Sequence, residues 1–176
     1  MVQKTRNVSS QSNEARNLYV VEHITSALLE LMRKKQLKDI SISELCDLAG
    51  VGRMSFYRNF ESKEAVLQRY DQMLVEKWID KYQAEGNEDN VPKLLYHLML
   101  HYKEHAQFYA LLYKNDCSLI LLDTIKKINK LSPDVPNAEA YAKSFVAYSV
   151  FGIVNEWIGR GMQESPEELA ALFGQV

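Results

Sequence analysis

The chain has 176 residues, 47% of them hydrophobic, with 21 Lys plus Arg against 23 Asp plus Glu and a formal net charge of −2. That length suits one or two compact units, and the absence of any unbroken apolar run near about 18 residues, or of a signal-peptide type of opening, argues against membrane insertion or export. Two cysteines, Cys46 and Cys117, lie far apart with no metal or redox spacing, which argues against a disulfide framework and for the reducing cytoplasm.

Only 7 Gly and 4 Pro interrupt the chain, so an all-helical protein is expected. The average charge hides an asymmetry. Residues 1–60 hold 9 Lys plus Arg against 6 Asp plus Glu, whereas the remainder holds 12 against 17. Basic charge is therefore gathered in the first third, where it can meet phosphate.

In chain order, the polar tail over 1–12 reads as a loose end. Insertion of Lys4 and Arg6 into a minor groove is the alternative. From Ala15 to Lys34 an amphipathic helix is expected, with Leu18, Val21, Leu28 and Met32 on its apolar stripe. Ser41 and Glu44 then form the sequence of a capping box, and Leu45, Leu48 and Ala49 follow at helical spacing. Gly50, Val51 and Gly52 break that helix, glycine permitting the left-handed corner. In the next short helix Phe56 and Phe60 share one side, while Arg53, Met54, Tyr57 and Arg58 gather on another. Two short helices around a tight glycine turn make a helix-turn-helix.

With Ala49, Gly50, Val51, Tyr57, Phe60 and Lys63 in these positions, the segment resembles the amino-terminal domain of the TetR family of bacterial transcriptional repressors. Two residues depart from the family pattern: Gly52 stands where serine is usual and Met54 where glycine is usual. The first removes a cap and phosphate donor. The second adds an apolar side chain able to meet a thymine methyl. The resemblance implies a three-helix DNA-binding domain over 1–63 and a helical domain for effector binding and dimerisation over 64–176. The function it implies is a dimeric, ligand-responsive repressor on a palindromic operator in double-stranded DNA.

Within the helix-turn-helix, Arg53 is the expected base reader, because its forked guanidinium matches the guanine acceptors, with Met54, Ser55 and Arg58 assisting. Lys63, Tyr57 and the backbone amides at the Ser41 end are expected to hold phosphates, and Gly52 is counted among the positions that touch DNA. Solvated helix charges are the plain alternative for the arginines, and packing is the plain alternative for Tyr57.

Beyond Lys63 a long helix is expected to about Glu85, with Leu67, Tyr70, Leu74 and Trp78 on one buried face. Gly86 to Asn90 form a polar break, and Pro92 suits the first turn of the next helix through Leu94, Leu95, Leu98 and Tyr102. Helices are expected near Gln107 to Lys114 and Leu119 to Leu131. Asn137 to Gly161 is apolar on two sides, Tyr141, Phe145, Tyr148 and Gly152 on one and Val146, Val150, Ile153 and Trp157 on the other. Such a helix must be covered twice, and the second set is assigned to contact with a second copy of the chain. Ser165-Pro166-Glu167-Glu168 reads as a capping box for a last helix through Leu169 and Phe173.

The aromatic load of the second half, Trp78, Tyr82, Tyr96, Tyr102, Phe108, Tyr109, Tyr113 and Tyr148, is expected either to line an effector pocket or simply to fill a helical core. His97, His101 and His105 step along one helix face beside Glu104. Of these, His97 and His101 are the weak candidates for a metal, against a pH-responsive or solvated stripe, since no third ligand is evident. No resident cofactor is expected.

Enzymatic function finds no support: G-x-S-x-G, P-loop, G-x-G-x-x-G and H-E-x-x-H patterns are absent. The rival readings are a relative that keeps the helix-turn-helix shape but binds a protein partner, and a small-molecule-binding protein.

Overall fold

The structure, a computed structural model, describes residues 4–85 and 91–173, with the backbone alone described over 4–16, 91–92 and at 173. Every α-helix or shorter helical turn among the described residues follows in one order without a strand. The helices are α1 (Lys4–Lys34), α2 (Ile42–Ala49), α3 (Arg53–Asn59), α4 (Lys63–Ala84), α5 (Val91–Glu104), α6 (Ala106–Lys114), α7 (Leu119–Ile128), α8 (Asn137–Gly159) and α9 (Pro166–Phe173). A 3-10 turn, Leu37–Asp39, precedes α2. The chain divides into two compact units, Met1–Leu67 and Gln68–Val176, the division falling inside α4. The polar break expected over Gly86 to Asn90 lies outside the described residues.

In the first unit α1 reaches back to Lys4, so the backbone over 4–12 is helical where a loose arm was expected; residues 1–3 lie outside the described residues. No glycine or proline stands in 1–34 to stop the helix. Its buried stripe is Ile24, Ala27, Leu28, Leu31 and Met32, while Leu18 is exposed. Against that stripe pack Leu45, Cys46 and Ala49 of α2 and Phe56 of α3. Ser41 caps α2 by accepting the Glu44 amide at 3.1 Å. The reciprocal half of the expected box is replaced: the Glu44 carboxylate takes the ammonium of Lys35, at the end of α1, at 2.5 Å. Gly50 ends α2 in the left-handed region at φ 65°, where a side chain would be strained. Gly52, at φ −75°, needs no such freedom.

In the second unit α5 packs on α9, and α6 and α7 pack on α8. Met99, Tyr102, Phe108, Tyr109 and Leu112 form the centre, and Leu122, Ile125 and Ala147 form a second cluster joined by Val150 and Phe151. Lys103 ties two elements together, donating to the Met162 carbonyl and lying 5.6 Å from the Trp157 ring centroid. The second capping box is complete: Glu168 N–H donates to Ser165 Oγ at 3.1 Å, and Ser165 N–H donates to Glu168 Oε2 at 2.8 Å.

Helix α8 corrects one expectation. Its inner face is Ala147, Val154, Trp157 and Ile158, with Trp157 only 2% exposed inside its own unit. Val150 and Ile153 are half-buried, and Val146 is exposed. Trp157 is therefore unavailable to a second chain, because α8 turns that stripe onto the rest of its own unit. The uncovered apolar surface is the other stripe, Tyr141, Phe145 and Tyr148, exposed by 71%, 75% and 53%.

Candidate functional site

Helix α3 is held from behind by a single anchor. Phe56 is fully buried, 5.9 Å from the Phe60 ring and 5.3 Å from the Tyr57 ring. With Phe56 fixing the inner face, the 3.6-residue period turns Arg53, Met54, Tyr57 and Arg58 outward, and all four are exposed. Met54 is the extreme case at 78%. Ser55 is half-buried, its carbonyl accepting from the Asn59 side chain at 2.8 Å. Neither Arg53 nor Arg58 makes an ion pair among the described residues. Two forked cations and an apolar tip thus share one convex face with open access.

The head of α3 lacks a side-chain cap. Gly52 occupies the cap position, and a Cβ built there would meet nothing within 4 Å. Ser41, at the head of α2, is exposed. Lys63 sits differently from a freely presented phosphate ligand. Half-buried, it donates to the carbonyls of Leu37 at 2.5 Å and Ile40 at 2.6 Å, tying the start of α4 to the turn before α2. Two of the three hydrogens of an ammonium are then used inside the unit.

The aromatic residues named from sequence part company in the second unit. Trp78 and Tyr82 line a cavity of about 350 Å³ between α4 and α5, together with His97, His101 and His105. Tyr102, Phe108 and Tyr109 are core residues with exposures of 2%, 6% and 0%. Tyr96 donates its hydroxyl to Glu167 at 3.2 Å. Tyr113 is exposed and lies over Gly159, where a Cβ would stand 2.6 Å from its hydroxyl. Tyr148 is exposed, with the Lys126 ammonium 4.8 Å from its ring centroid. Six of the eight therefore stand apart from the cavity, because aromatic content alone does not say which face of a helix looks inward. Two wall residues that sequence reading passed over are Lys77 and Lys81. Each precedes one of the aromatic pair Trp78 and Tyr82, and that repeated Lys-aromatic step one turn apart was the available signal.

Behind the cavity lies a buried polar group that sequence reading did not single out. Asp71 of α4 is 1% exposed, and burial pushes its carboxyl up to about 6 against the opposing pull of the Thr124 and Tyr109 hydroxyls. Neither carboxylate oxygen has a hydrogen bond of good geometry. Burial likewise holds the Tyr109 phenol well above its usual range, with the Asp71 charge adding to it. On its other side the Tyr109 hydroxyl meets His101 Nε2 at 3.1 Å. Burial, and then His105, pull His101 down to about 4, so it is neutral at physiological pH. Among the described residues no three His, Cys, Asp or Glu side chains gather as a metal site.

Residues 24–70 match the family model described as bacterial regulatory proteins, tetR family, and residues 89–176 match one described as transcriptional regulator C-terminal region. No curated protein matches the chain. Among solved structures, the fatty acid degradation regulator FadR from Bacillus halodurans is similar with a TM-score of 0.58 and 17% identity, covering 89% of this chain and 93% of that one. The dihydroxyacetone kinase operon activator DhaS is similar with a TM-score of 0.53 and 19% identity, covering 89% and 92%. At these identities the likeness is one of fold. No helix among the described residues is long and apolar enough to cross a membrane.

Proposed function

We propose, from the premise that this chain belongs to the TetR family of bacterial transcriptional regulators and is a DNA-binding regulator rather than an enzyme, that it acts in the cytoplasm as a two-fold dimer repressing from a palindromic operator. The observation that carries this reading is the outward face of α3, where Arg53, Met54, Tyr57 and Arg58 stand exposed over the buried Phe56. A recognition helix reads base edges with its amino-terminal residues. Arg53 opens α3, and its fork pairs with the O6 and N7 of a guanine. Met54 and Ser55 lie against neighbouring bases, Met54 on a thymine methyl. Arg58 assists the base reading, and Tyr57 and the amides at the Ser41 end hold phosphates.

One copy offers a small basic surface, so two are needed to reach useful affinity. The stripe Tyr141, Phe145 and Tyr148 on α8, with Val146 and Ile153 at its margin, supplies the contact between them, Val150 being held in its own unit by Leu122, Ile125 and Ala147. A two-fold axis sets the two α3 helices about 34 to 36 Å apart for successive major grooves. An effector bound in the second unit releases DNA only by preferring the conformation whose spacing misses the grooves.

Mobility shifts on DNA from upstream of the protein's own gene, run at several salt concentrations, test the reading. The expected result is retardation that weakens steeply with salt, with footprints on two half-sites about one helical turn apart. No retardation at low salt overturns it. The second reading, a helix-turn-helix used to bind a protein partner, draws on Met54, an apolar side chain left 78% exposed. It predicts stoichiometric co-purification of one partner together with loss of salt-dependent DNA binding.

A further inference from the structure

Resting on the reading of the chain as a DNA-binding regulator, we propose that Asp71 is a proton-operated latch: one proton gained or lost there fastens or loosens α4 on α6 and α7, and operator binding follows. Asp71 lies one turn beyond Leu67, where the first unit ends inside the continuous helix α4. Tyr109 comes to it from α6 and Thr124 from α7. Three oxygens there, the two of the Asp71 carboxylate and the Thr124 hydroxyl, are buried without a hydrogen bond of good geometry. Packing at the junction of three helices therefore encloses a charge that it does not satisfy.

No counter-charge answers that carboxylate. Among the described residues no ion pair includes Asp71. The titratable groups facing it are the phenols of Tyr102 from α5 and Tyr109 from α6, both held above the usual phenol range by burial and then by the Asp71 charge. From α7 comes the neutral Thr124. Behind Tyr109 stand His101, 3.1 Å from its hydroxyl, and His105, whose ring is 5.0 Å from that of His101. A proton is the smallest group that completes the site, since it cancels the charge and adds a donor among the unpartnered oxygens. The carboxyl ordinarily titrates at 3.8, and packed here it titrates at about 6. From about pH 5 to 7.5 the ratio of loosened to packed chains therefore rises about tenfold.

Trp78 reports on the latch, because it stands two turns along α4 from Asp71 with its ring 5.7 Å from Tyr82 and 5.8 Å from His101. Tryptophan emission and mobility shifts of the full chain on DNA from upstream of its own gene, at fixed ionic strength from pH 5 to 8, test the assignment. That range lies above the pH of about 4 at which His101 takes up its proton. The parent should show an emission transition centred near pH 6, and its operator affinity should change by up to about tenfold across it. Asp71→Asn, a neutral mimic of the protonated carboxyl, should keep the acid values of both readouts at pH 7.5. Tyr109→Phe should move the midpoint upward, since the hydroxyl that favours the charged form is gone. Contributions from His23 or Trp157 are common to parent and variants and cancel in the difference. The proposal is overturned if the parent shows no transition near pH 6, or if Asp71→Asn follows the parent at every pH in either readout. Absence of DNA binding at every pH, with the emission transition intact, instead strikes the DNA-binding reading and leaves the latch on α4.

Discussion

Asp71 and His101 should have opposite and nearly cancelling effects on stability between about pH 4 and 6.5, and single substitutions should expose each. The Asp71 carboxyl rises from 3.8 to about 6 on folding. At about 1.4 kcal/mol for each tenfold change in proton affinity, this amounts to about 3 kcal/mol. The folded state holds that proton more tightly, so the stabilisation is complete below 3.8 and disappears as pH climbs through about 6. His101 falls from 6.5 to about 4, also worth about 3 kcal/mol. Here the folded state rejects the proton, so stability is complete above 6.5 and disappears as pH falls through about 4.

Urea denaturation from pH 4 to 7.5 gives the assay, with each variant read as its difference from the parent at every pH. For Asp71→Asn that difference should be smallest near pH 4 and grow by about 3 kcal/mol in the variant's favour toward pH 7, because a neutral amide no longer has to be ionised in the interior. For His101→Gln the difference should move the other way, growing in the variant's favour by about 3 kcal/mol as pH falls from 7 to 4. Parallel curves for parent and Asp71→Asn would refute the placement of this carboxyl away from any cation.

Five further substitutions have expected outcomes. Arg53→Ala should weaken specific operator binding by about 1 to 3 kcal/mol while leaving the denaturation curve in place, as read by mobility shift and urea melt together. Gly52→Ser should stabilise the first unit by a few tenths of a kcal/mol by capping α3, because the site is open, and should tighten DNA binding at every sequence tested. Lys63→Met should lower thermal stability as well as DNA affinity, since the Ile40 carbonyl loses the ammonium and the Leu37 carbonyl keeps the Ile40 N–H but loses its second donor; removing such a partner costs about 1 to 3 kcal/mol. Phe145→Glu should convert a dimer to a monomer in analytical ultracentrifugation without loss of fold, whereas Trp157→Ala should cost about 3 to 5 kcal/mol of stability by opening a core cavity.

The helix-turn-helix was legible because local signals there agree. Ser41 caps, Gly50 turns left-handed, and the four-residue step from Phe56 to Phe60 separates an inner face from an outer one within seven residues of helix. Each of those features is decided by neighbours close in sequence. On α8 the two apolar stripes are nearly equivalent by periodicity, and only long-range packing against α6 and α7 decides which is covered. The stripe that goes inward holds Ala147, whose small side chain admits close approach beside Leu122 and Ile125; the stripe left outside is the bulky Tyr141, Phe145 and Tyr148. Asp71 was invisible for the related reason that a lone acid in an amphipathic run reads as solvated. What buries it is the arrival of Thr124 from α7 and Tyr109 from α6, more than thirty residues away in the chain. A carboxylate kept there without a cation is a liability of about 3 kcal/mol against a net stability of about 5 to 15 kcal/mol for a typical protein. Replacing it should therefore stabilise the chain at neutral pH, and any accompanying loss of effector response would identify what the buried charge is for.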